Sequence, residues 1–261
     1  MRKFFLVSIA LVSLLFTQSY GQAGLLDSTL DADGILLTSA DTSVSNTARS
    51  VWVLPDKKIM ATGPCGDYKI WVGRFNEDGS YDKSFNTTGL AFLSSASGVQ
   101  VESIIAQPDG KAIIAGTHFV GSGNTFMLAR FKPNGSLDSS FNDSGIVKTN
   151  LGLWAFINQI VLQADGKIVA LGASKTFGAI TLARYKSNGL LDSTFGTDGI
   201  SSISVAGALL HFNSIKIQAD GKFVIGGGLS PSSSLWAATI RLNSNGSLDP
   251  TYKTSFLSGI V

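Results

Sequence analysis

Residues 160–172 read Ile-Val-Leu-Gln-Ala-Asp-Gly-Lys-Ile-Val-Ala-Leu-Gly, and this stretch decides the fold. Two apolar runs, 160–162 and 168–171, flank Asp165-Gly166, and an Asp-Gly pair between such runs is the strongest short signal for a β-hairpin. The pair favours a type I′ turn, in which both central residues have positive φ. The runs are nearly continuous in apolar residues rather than alternating, so we expect both faces of the sheet to be buried.

This hairpin block recurs along the chain. Gln-x-Asp-Gly-Lys also occupies residues 107–111 and 218–222, and its counterpart in the first unit is Leu-Pro-Asp-Lys-Lys at 54–58. We therefore expect Gly110, Gly166 and Gly221 to be structural turn residues. Lys57 takes the glycine position in the first unit, which predicts a strained hairpin or a different turn there. A further glycine stands five residues beyond the last Lys of each block: Gly63, Gly116, Gly172 and Gly227.

A second repeated element, the Leu-Asp block, has Tyr in place of Leu in one copy. Its aspartates are Asp27, Asp82, Asp138, Asp192 and Asp249, at steps of 55, 56, 54 and 57 residues. A large apolar residue follows each by three positions: Leu30, Phe85, Phe141, Phe195 and Tyr252. Asn-Gly, or Asp78-Gly79 in the first unit, precedes the block and predicts a second turn. We expect the block and the Gly-Ile segment after it to form the fourth strand of each unit.

Four antiparallel strands in about 55 residues, buried on both faces, must stack on neighbouring units. The sequence therefore predicts an all-β fold, a β-propeller-like array of about four four-stranded antiparallel blades over residues 22–261, with a leading partial unit at 25–36. A β-solenoid usually has shorter coils without tight hairpins, and a β-sandwich does not repeat so regularly. The sequence leaves two arrangements of the blades. In a closed ring, the two ends of the chain complete one blade, whereas an open arc would self-associate through its end blades.

These motifs resemble those of the delta-60 repeat family of bacterial secreted proteins. The resembling pattern is Gln-x-Asp-Gly-Lys-x5-Gly, then Leu-Ala-Arg-Phe/Tyr-x-x-Asn-Gly-x-Leu-Asp-x-x-Phe, and it extends over essentially all of residues 25–256. The resemblance implies a propeller-like repeat protein that is extracellular or at the cell surface. It implies no common chemistry.

The first 21 residues are typical of a signal peptide. Arg2 and Lys3 precede the apolar run 4–16, and Ser19 and Gly21 provide small residues before cleavage. The run is shorter than the ~20 residues of a membrane span, so we expect export and no span after cleavage. Removing two of the 20 basic residues leaves 18 against 18 acidic ones, a balance that does not favour nucleic acid as a partner. Cys65 is the single cysteine and predicts neither a disulfide nor a metal site, and we expect no cofactor.

An arginine stands eight residues before each aspartate of the last four Leu-Asp blocks. A feature of every unit serves folding, so we interpret these residues as structural ion pairs rather than an anion site. The expected pairs are Arg74 with Asp82, Arg130 with Asp138, Arg184 with Asp192 and Arg241 with Asp249.

Catalytic constellations are not found in the sequence. The chain has two Glu (Glu77, Glu102) and two His (His118, His211), and no segment pairs two carboxylates for glycoside hydrolysis. We therefore expect a binding or scaffold module rather than an enzyme. A surface hydrolase built on a propeller is the first alternative. A calcium-stabilised structural module is the second alternative. The Asp-rich loops suggest it, but they lack the residue spacing of a calcium-binding loop.

The connections that differ between units are the best candidates for binding. Alternate turns of an antiparallel blade lie at opposite ends, so the repeated turns share one end and the variable connections share the other. Aromatic and polar residues of these connections are the expected ligand-binding set: His118, Phe119, Trp154, Phe177, His211 and Trp236. Arg49, Glu102, Asn158 and Asn213, at one equivalent position just before the first strand, are secondary candidates. The expected partner is a glycan or a protein at the cell surface.

Overall fold

The computed structural model describes residues 26–121, 123–152, 154–174, 178–204, 209–230, 236–252 and 256–257. The signal-peptide prediction for residues 1–21 falls outside this range. All long regular elements in the described residues are β-strands, and they contain no helix long and apolar enough to cross a membrane.

In the part of the chain that the structure describes, sixteen strands form four sheets, which we call blades 1 to 4. Blade 1 consists of β1 (Ser50–Val53), β2 (Ile59–Cys65), β3 (Lys69–Phe75) and β4 (Leu90–Ser94). Blade 2 consists of β5 (Val99–Ala106), β6 (Ala112–Val120), β7 (Gly123–Phe131) and β8 (Ile146–Thr149). Blade 3 consists of β9 (Ala155–Leu162), β10 (Ile168–Ser174), β11 (Gly178–Tyr185) and β12 (Ile200–Ile203). Blade 4 consists of β13 (Leu209–Ile217), β14 (Phe223–Ser230), β15 (Trp236–Leu242) and β16 (Phe256–Leu257).

Each blade is an antiparallel meander, with its strands paired in chain order. The predicted fold class, an all-β array of four four-stranded antiparallel blades, is therefore confirmed. The first strands, β1, β5, β9 and β13, lie side by side and bond across the blades. For example, the Ile104 N–H donates to Ser50 Oγ at 3.1 Å, and the Ile160 N–H donates to Ser103 Oγ at 3.2 Å. The first strand is thus the inner strand of each blade.

Apolar side chains fill the space between successive blades. Strands of blade 1 (Ile70, Val72) pack against strands of blade 2 (Ile114, Met127), and two equivalent clusters join blades 2 and 3 and blades 3 and 4. We call the face toward the next blade the onward face, and the opposite one the rearward face. Because both faces of blades 2 and 3 are covered in this way, their strands lack the alternation of a half-exposed sheet.

The hairpin turns differ in type from the prediction. In the block 107–111, the Gly110 N–H donates to the Gln107 carbonyl at 2.9 Å and the Gln107 N–H donates to the Lys111 carbonyl at 2.8 Å. Only Gly110 has positive φ (80°), so the turn is a type I turn closed by a left-handed residue, not type I′. The same turn forms where Ala164 or Ala219 replaces Pro108, so the turn type comes from a three-residue loop that the glycine closes. Lys57 adopts the same left-handed conformation, with φ of 67°.

The Leu-Asp block is a compact turn rather than the start of the fourth strand, which corrects a second expectation. In the second copy, the Phe85 N–H donates to the Asp82 carbonyl and the Gly89 N–H donates to the Phe85 carbonyl. Strand β4 begins only at Leu90. The turn brings the block to the next blade, where the Asn86 N–H donates to the Asn134 carbonyl at 2.8 Å.

Residues 26–47, the leading segment, cover the rearward face of blade 1. Leu36 and Ala40 pack against the cluster that includes Trp71 and Phe75. The segment thus takes the position that a preceding blade takes at the other junctions.

Candidate functional site

The four blades present two different ends. The repeated turns lie together at one end: a Cβ placed on Gly110 of the Asp-Gly turn would be 3.4 Å from Pro133, which precedes Asn134-Gly135. We call this end the turn face. The β2–β3 type loops and the connections between blades lie at the other end, which we call the variable face. The unit-specific residues therefore share one end of the molecule, as the antiparallel topology requires.

The side chains of the repeated arginines are engaged in ion pairs and hydrogen bonds within the protein. Arg130 Nε donates to Asp138 Oδ2 at 2.9 Å, its Nη2 donates to Ser140, and its guanidinium lies 4.5 Å from the centre of the Phe141 ring. The same ion pair has distances of 2.7 Å for Arg74–Asp82, 2.9 Å for Arg184–Asp192 and 2.8 Å for Arg241–Asp249. Most of these side chains are buried, so they offer little to a ligand.

The lysine of each hairpin block joins this ion pair, a role that the sequence reasoning missed. Lys111 Nζ lies 3.5 Å from Asp138 Oδ2, and Lys58, Lys167 and Lys222 make the equivalent approach in the other blades. Burial raises the pKa of Asp138, but hydrogen bonds from Ser140 and the charges of Arg130 and Lys111 outweigh it and lower the pKa overall. The carboxylate is thus ionised and fully occupied by the framework.

Trp154 is the most prominent of the predicted binding residues. Its side chain is 52% exposed on the variable face, between blades 2 and 3. Its φ is 59°, a left-handed conformation that is unusual for a bulky residue. The connection is fixed at both ends, since Leu151 and Ala155 are fully buried and Ser174 Oγ donates to the Leu151 carbonyl at 2.7 Å. The ring lies 6.5 Å from that of Phe156, so two aromatic rings share this position.

His118 is not the exposed loop residue that the sequence suggested. It lies near the end of β6 and is 6% exposed beneath the connection from blade 1. Its Nε2 lies 2.8 Å from Ser97 Oγ, 3.1 Å from Ser95 Oγ and 3.3 Å from Lys148 Nζ. Burial, and secondarily the charge of Lys148, lowers the pKa of His118, so the ring is neutral at neutral pH. The ring therefore holds the connection in place.

The other primary candidates have different surroundings. Phe119 is half-buried and packs against Gly98, to whose carbonyl its N–H donates at 2.9 Å. Trp236 is half-buried at the start of β15. His211 pairs with Gly228 in the β13–β14 ladder, and the structure describes its backbone only. Phe177 lies outside the described residues. Trp154 is thus the one exposed ring of the predicted set among the described side chains.

Three of the four secondary candidates lie within the inner strands, at β-bulges, and not just before the first strand as predicted. Glu102, Asn158 and Asn213 are each the extra residue at a register shift against the neighbouring strand. The bulges account for the repeated glycines of the second strands. A Cβ on Gly116 would collide with the Gln100 carbonyl of the inner strand, and a Cβ on Gly172 would collide with the Phe156 carbonyl. The bulge is therefore part of the framework, whereas the side chain that it presents changes from unit to unit.

Adjacent bulge residues approach one another. Asn158 Nδ2 donates to the Phe212 carbonyl at 2.9 Å and lies 3.4 Å from Asn213 Oδ1. Glu102 Oε1 accepts from Gln100 Nε2 at 2.5 Å. Arg49, the equivalent residue before β1, is exposed, and its N–H donates to the Thr62 carbonyl at 2.8 Å. A row of cationic, anionic and amide groups thus follows the inner strands at the level of the bulges.

Two features of the surface were not anticipated. Tyr68, in the β2–β3 loop, is 57% exposed and adds an aromatic ring to the variable face. A cleft of about 520 Å³ opens on the turn-face side between β12 and the Asn245-Gly246 turn, and serine, threonine and asparagine side chains line it. These groups bond within the protein, as when Ser201 Oγ donates to the Gly246 carbonyl at 2.6 Å, so the cleft presents few free hydrogen-bonding groups. We therefore place the candidate site on the variable face.

Within the described residues, no group of three or more His, Cys, Asp or Glu side chains is arranged to hold a metal ion. Cys65 is buried, and burial raises the pKa of its thiol.

Comparison with known proteins relates the chain to propellers. Residues 107–141, 163–195 and 218–252 each match a family described as "Domain of unknown function (DUF5122) beta-propeller". Each match runs from the first residue of a hairpin block to the aromatic residue of a Leu-Asp block, and so begins and ends at equivalent positions of blades 2, 3 and 4. A comparison with curated proteins finds no match.

Solved structures with similar folds have low identity. A protein of unknown function from Bacteroides caccae is 12% identical, with a TM-score of 0.49 over 81% of this chain and 68% of that one. A quinonprotein alcohol dehydrogenase-like protein from Bacteroides thetaiotaomicron is 11% identical (TM-score 0.46; 80% of this chain, 46% of that one). An endo-arabinase from the same species is 13% identical (TM-score 0.43; 83% and 82%). This chain spans 64% of a putative gluconolactonase, so several of these structures are considerably longer. By its four sheets and its three repeated matches, the chain is a β-propeller-like repeat protein.

Proposed function

We propose that the protein is an exported, non-catalytic module that binds a glycan or a protein at the cell surface through its variable face. The observation that carries this proposal is Trp154: a bulky aromatic side chain, half exposed, held in a left-handed conformation by a connection buried on both sides. Backbone strain of this kind is retained where the surrounding structure imposes it, and it concentrates at functional sites. Aromatic rings stack on sugar faces and anchor protein partners.

The distribution of constant and variable residues supports the same end of the molecule. The arginines, aspartates and lysines common to all units are engaged in ion pairs within the blades. The side chains that differ, including Tyr68 and the bulge residues, lie on the variable face or along the inner strands. Loops and bulges on a rigid scaffold are where binding residues usually occur.

The test is a binding screen of the purified mature chain against immobilised neutral and acidic polysaccharides and against cell-surface proteins. Binding should be lost or weakened at least tenfold in Trp154→Ala, because truncating a central aromatic anchor typically costs more than ~1 kcal/mol. Leu190→Ala is the matched control, since it removes a similarly exposed apolar side chain from the turn face. Loss of binding in Leu190→Ala but not in Trp154→Ala would place the site on the turn face and contradict the proposal.

The same preparation tests the two alternatives. We expect no release of reducing ends from any polysaccharide that binds, and no change of melting temperature on addition of EDTA. Turnover would favour the surface hydrolase, and a lower melting temperature in EDTA would favour the calcium-stabilised module.

A further inference from the structure

Every junction between successive blades includes the same two hydrogen bonds. Between blades 2 and 3, the Asn142 N–H of the Leu-Asp block donates to the Asn188 carbonyl at 2.8 Å, and Arg130 Nη1 donates to the Ser187 carbonyl at 2.5 Å. The other junctions repeat them with Asn86–Asn134 and Arg74–Pro133, and with Gly196–Asn245 and Arg184–Ser244. A junction thus has a donor side, formed by the block and its arginine, and an acceptor side, formed by the turn of the next blade.

Blade 1 has an acceptor side that the leading segment only half fills. The Asp31 N–H donates to the Asp78 carbonyl at 3.0 Å, as a Leu-Asp block does elsewhere. Leu30 lies against Gly79 of the same turn. The Glu77 carbonyl, which is equivalent to that of Ser187, receives no arginine from the described residues. The leading segment therefore imitates a preceding block without supplying its cation.

Blade 4 has a donor side, for which the described residues provide no acceptor side. Arg241 pairs with Asp249 at 2.8 Å and lies over the Tyr252 ring, as its counterparts do. Within the described residues, however, no carbonyl accepts from its Nη1. Its side chain is 21% exposed, whereas the other three repeated arginines are 6–10% exposed. Among the described residues, Arg241 of blade 4 thus lacks a carbonyl acceptor, and the Glu77 carbonyl of blade 1 lacks an arginine donor.

The two end faces also complement each other in volume. In blade 3, a Cβ on Gly172 would be 2.6 Å from the Phe126 ring of the preceding blade, so that ring covers the glycine. In blade 1, the equivalent Gly63 is covered by Trp71 of its own blade. The residue of blade 4 equivalent to Phe126 is Ala237, which is small and exposed. Blade 4 therefore leaves room where blade 1 carries the large ring.

We propose that the onward face of blade 4 binds the rearward face of blade 1 in a second copy of the chain, and that the leading segment is an intramolecular cap that prevents this until it is displaced. Arg241 of one copy donates to the Glu77 carbonyl of the other, and Trp71 packs against Ala237. This interaction is independent of ligand binding on the variable face. It makes self-association conditional on the state of residues 26–47.

The test weakens the cap and measures self-association by sedimentation velocity over a range of concentrations. Leu36→Asp places a charge in the contact between the cap and blade 1, and Thr38→Val removes the hydroxyl that bonds to Tyr81 while leaving blade 1 unchanged. The unmodified chain should sediment as a monomer. Leu36→Asp should raise the apparent association constant at least about tenfold, because the binding-competent fraction rises, and Thr38→Val should raise it less. If Leu36→Asp unfolds, Thr38→Val decides.

Arg241→Ala is the matched control in each background. It should return both cap variants to monomers, since it removes the donor of blade 4 and leaves the exposed face of blade 1 intact. Self-association that survives Arg241→Ala would overturn the proposal, because it would reflect unspecific contact of an exposed apolar face. Monomeric behaviour of both cap variants, or self-association of the unmodified chain to the same extent, would also overturn it.

Discussion

Gly172 lies so close to the carbonyl oxygen of Phe156 in the neighbouring strand that a side chain at this position would collide with it. The bulge at Asn158 brings the two strands together in this way, and the glycine is a requirement of the bulge. Gly226, in the equivalent strand of blade 4, has no atom within 4 Å of its Cβ position.

The first prediction compares these two glycines. Gly172→Ala should lower the free energy of unfolding by more than ~2 kcal/mol, because backbone must shift to admit the methyl group. Gly226→Ala should be neutral or stabilise by up to ~1 kcal/mol, since it only restricts the unfolded chain. Urea unfolding of both variants measures the difference. Equal effects of the two substitutions would contradict the role assigned to the bulge.

The second prediction concerns the buried ion pair. Arg184→Ala leaves Asp192, whose side chain is 3% exposed, with the hydrogen bonds from Thr194 and with the more distant Lys167 as its remaining cation. Breaking a buried pair in this way should cost about 3 kcal/mol and lower the melting temperature by several degrees. Arg241→Ala should cost less, because that arginine is more exposed and bonds to no following blade. Calorimetry of the two variants provides the test, and an unchanged melting temperature of Arg184→Ala would refute it.

The third prediction follows from the pKa values of the paired aspartates. In Asp138 and Asp192 burial raises the pKa, but hydrogen bonds and neighbouring cations lower it further, so the folded pKa lies below the unfolded value of about 3.9. A lowered folded pKa stabilises the protein above the unfolded pKa, and the contribution is lost as pH falls toward the folded value. Urea midpoints should therefore decrease from pH 5 to pH 3. Asp138→Asn should reduce this decrease, and a midpoint that rises on acidification would be inconsistent with the lowered pKa values.

The fourth prediction concerns Lys57, which has the left-handed conformation that glycine adopts in the other three hairpins. Lys57→Gly should raise the melting temperature, because glycine adopts positive φ without strain. The ion pair with Glu77 that it removes is exposed and contributes little. Lys57→Ala removes the same ion pair but retains a Cβ, so it should not stabilise the protein. A higher melting temperature for Lys57→Ala than for Lys57→Gly would contradict the inference that the backbone is strained at Lys57.

The sequence was sufficient to predict the unit, its four strands and their antiparallel order, because the turn blocks and apolar runs are local signals. It did not predict the hairpin type, because an Asp-Gly pair can form a two-residue turn or can end a three-residue loop, as Asp109 and Gly110 do. The Leu-Asp block was assigned to the fourth strand because the contact that directs it to the next blade, such as Asn86 with Asn134, is with a residue about 50 positions further along the chain. Repetition marked such residues as structural but did not indicate their partners.

The candidate site was predictable to the level of one end of the molecule and not to individual side chains. Strand direction places the variable connections together, and Trp154 and Asn158 lie there. Burial of His118 depends on Ser95, Ser97 and Lys148, which come from two blades and carry no sequence signal. Tyr68 lies in the short β2–β3 loop after Gly66 and Asp67, which resembles ordinary loop variation, so nothing in the sequence distinguished it.

The donor and acceptor sides of a junction have a consequence for how such chains can change in length. Both sides are encoded within one unit of about 55 residues, the acceptor turn first and the donor block a few residues later. An in-frame duplication of any internal unit would therefore insert a blade whose two junctions are already complementary to their neighbours. The gene could gain or lose whole blades by recombination between its own repeats, without any compensating substitution, while the unit-specific connections diverge independently.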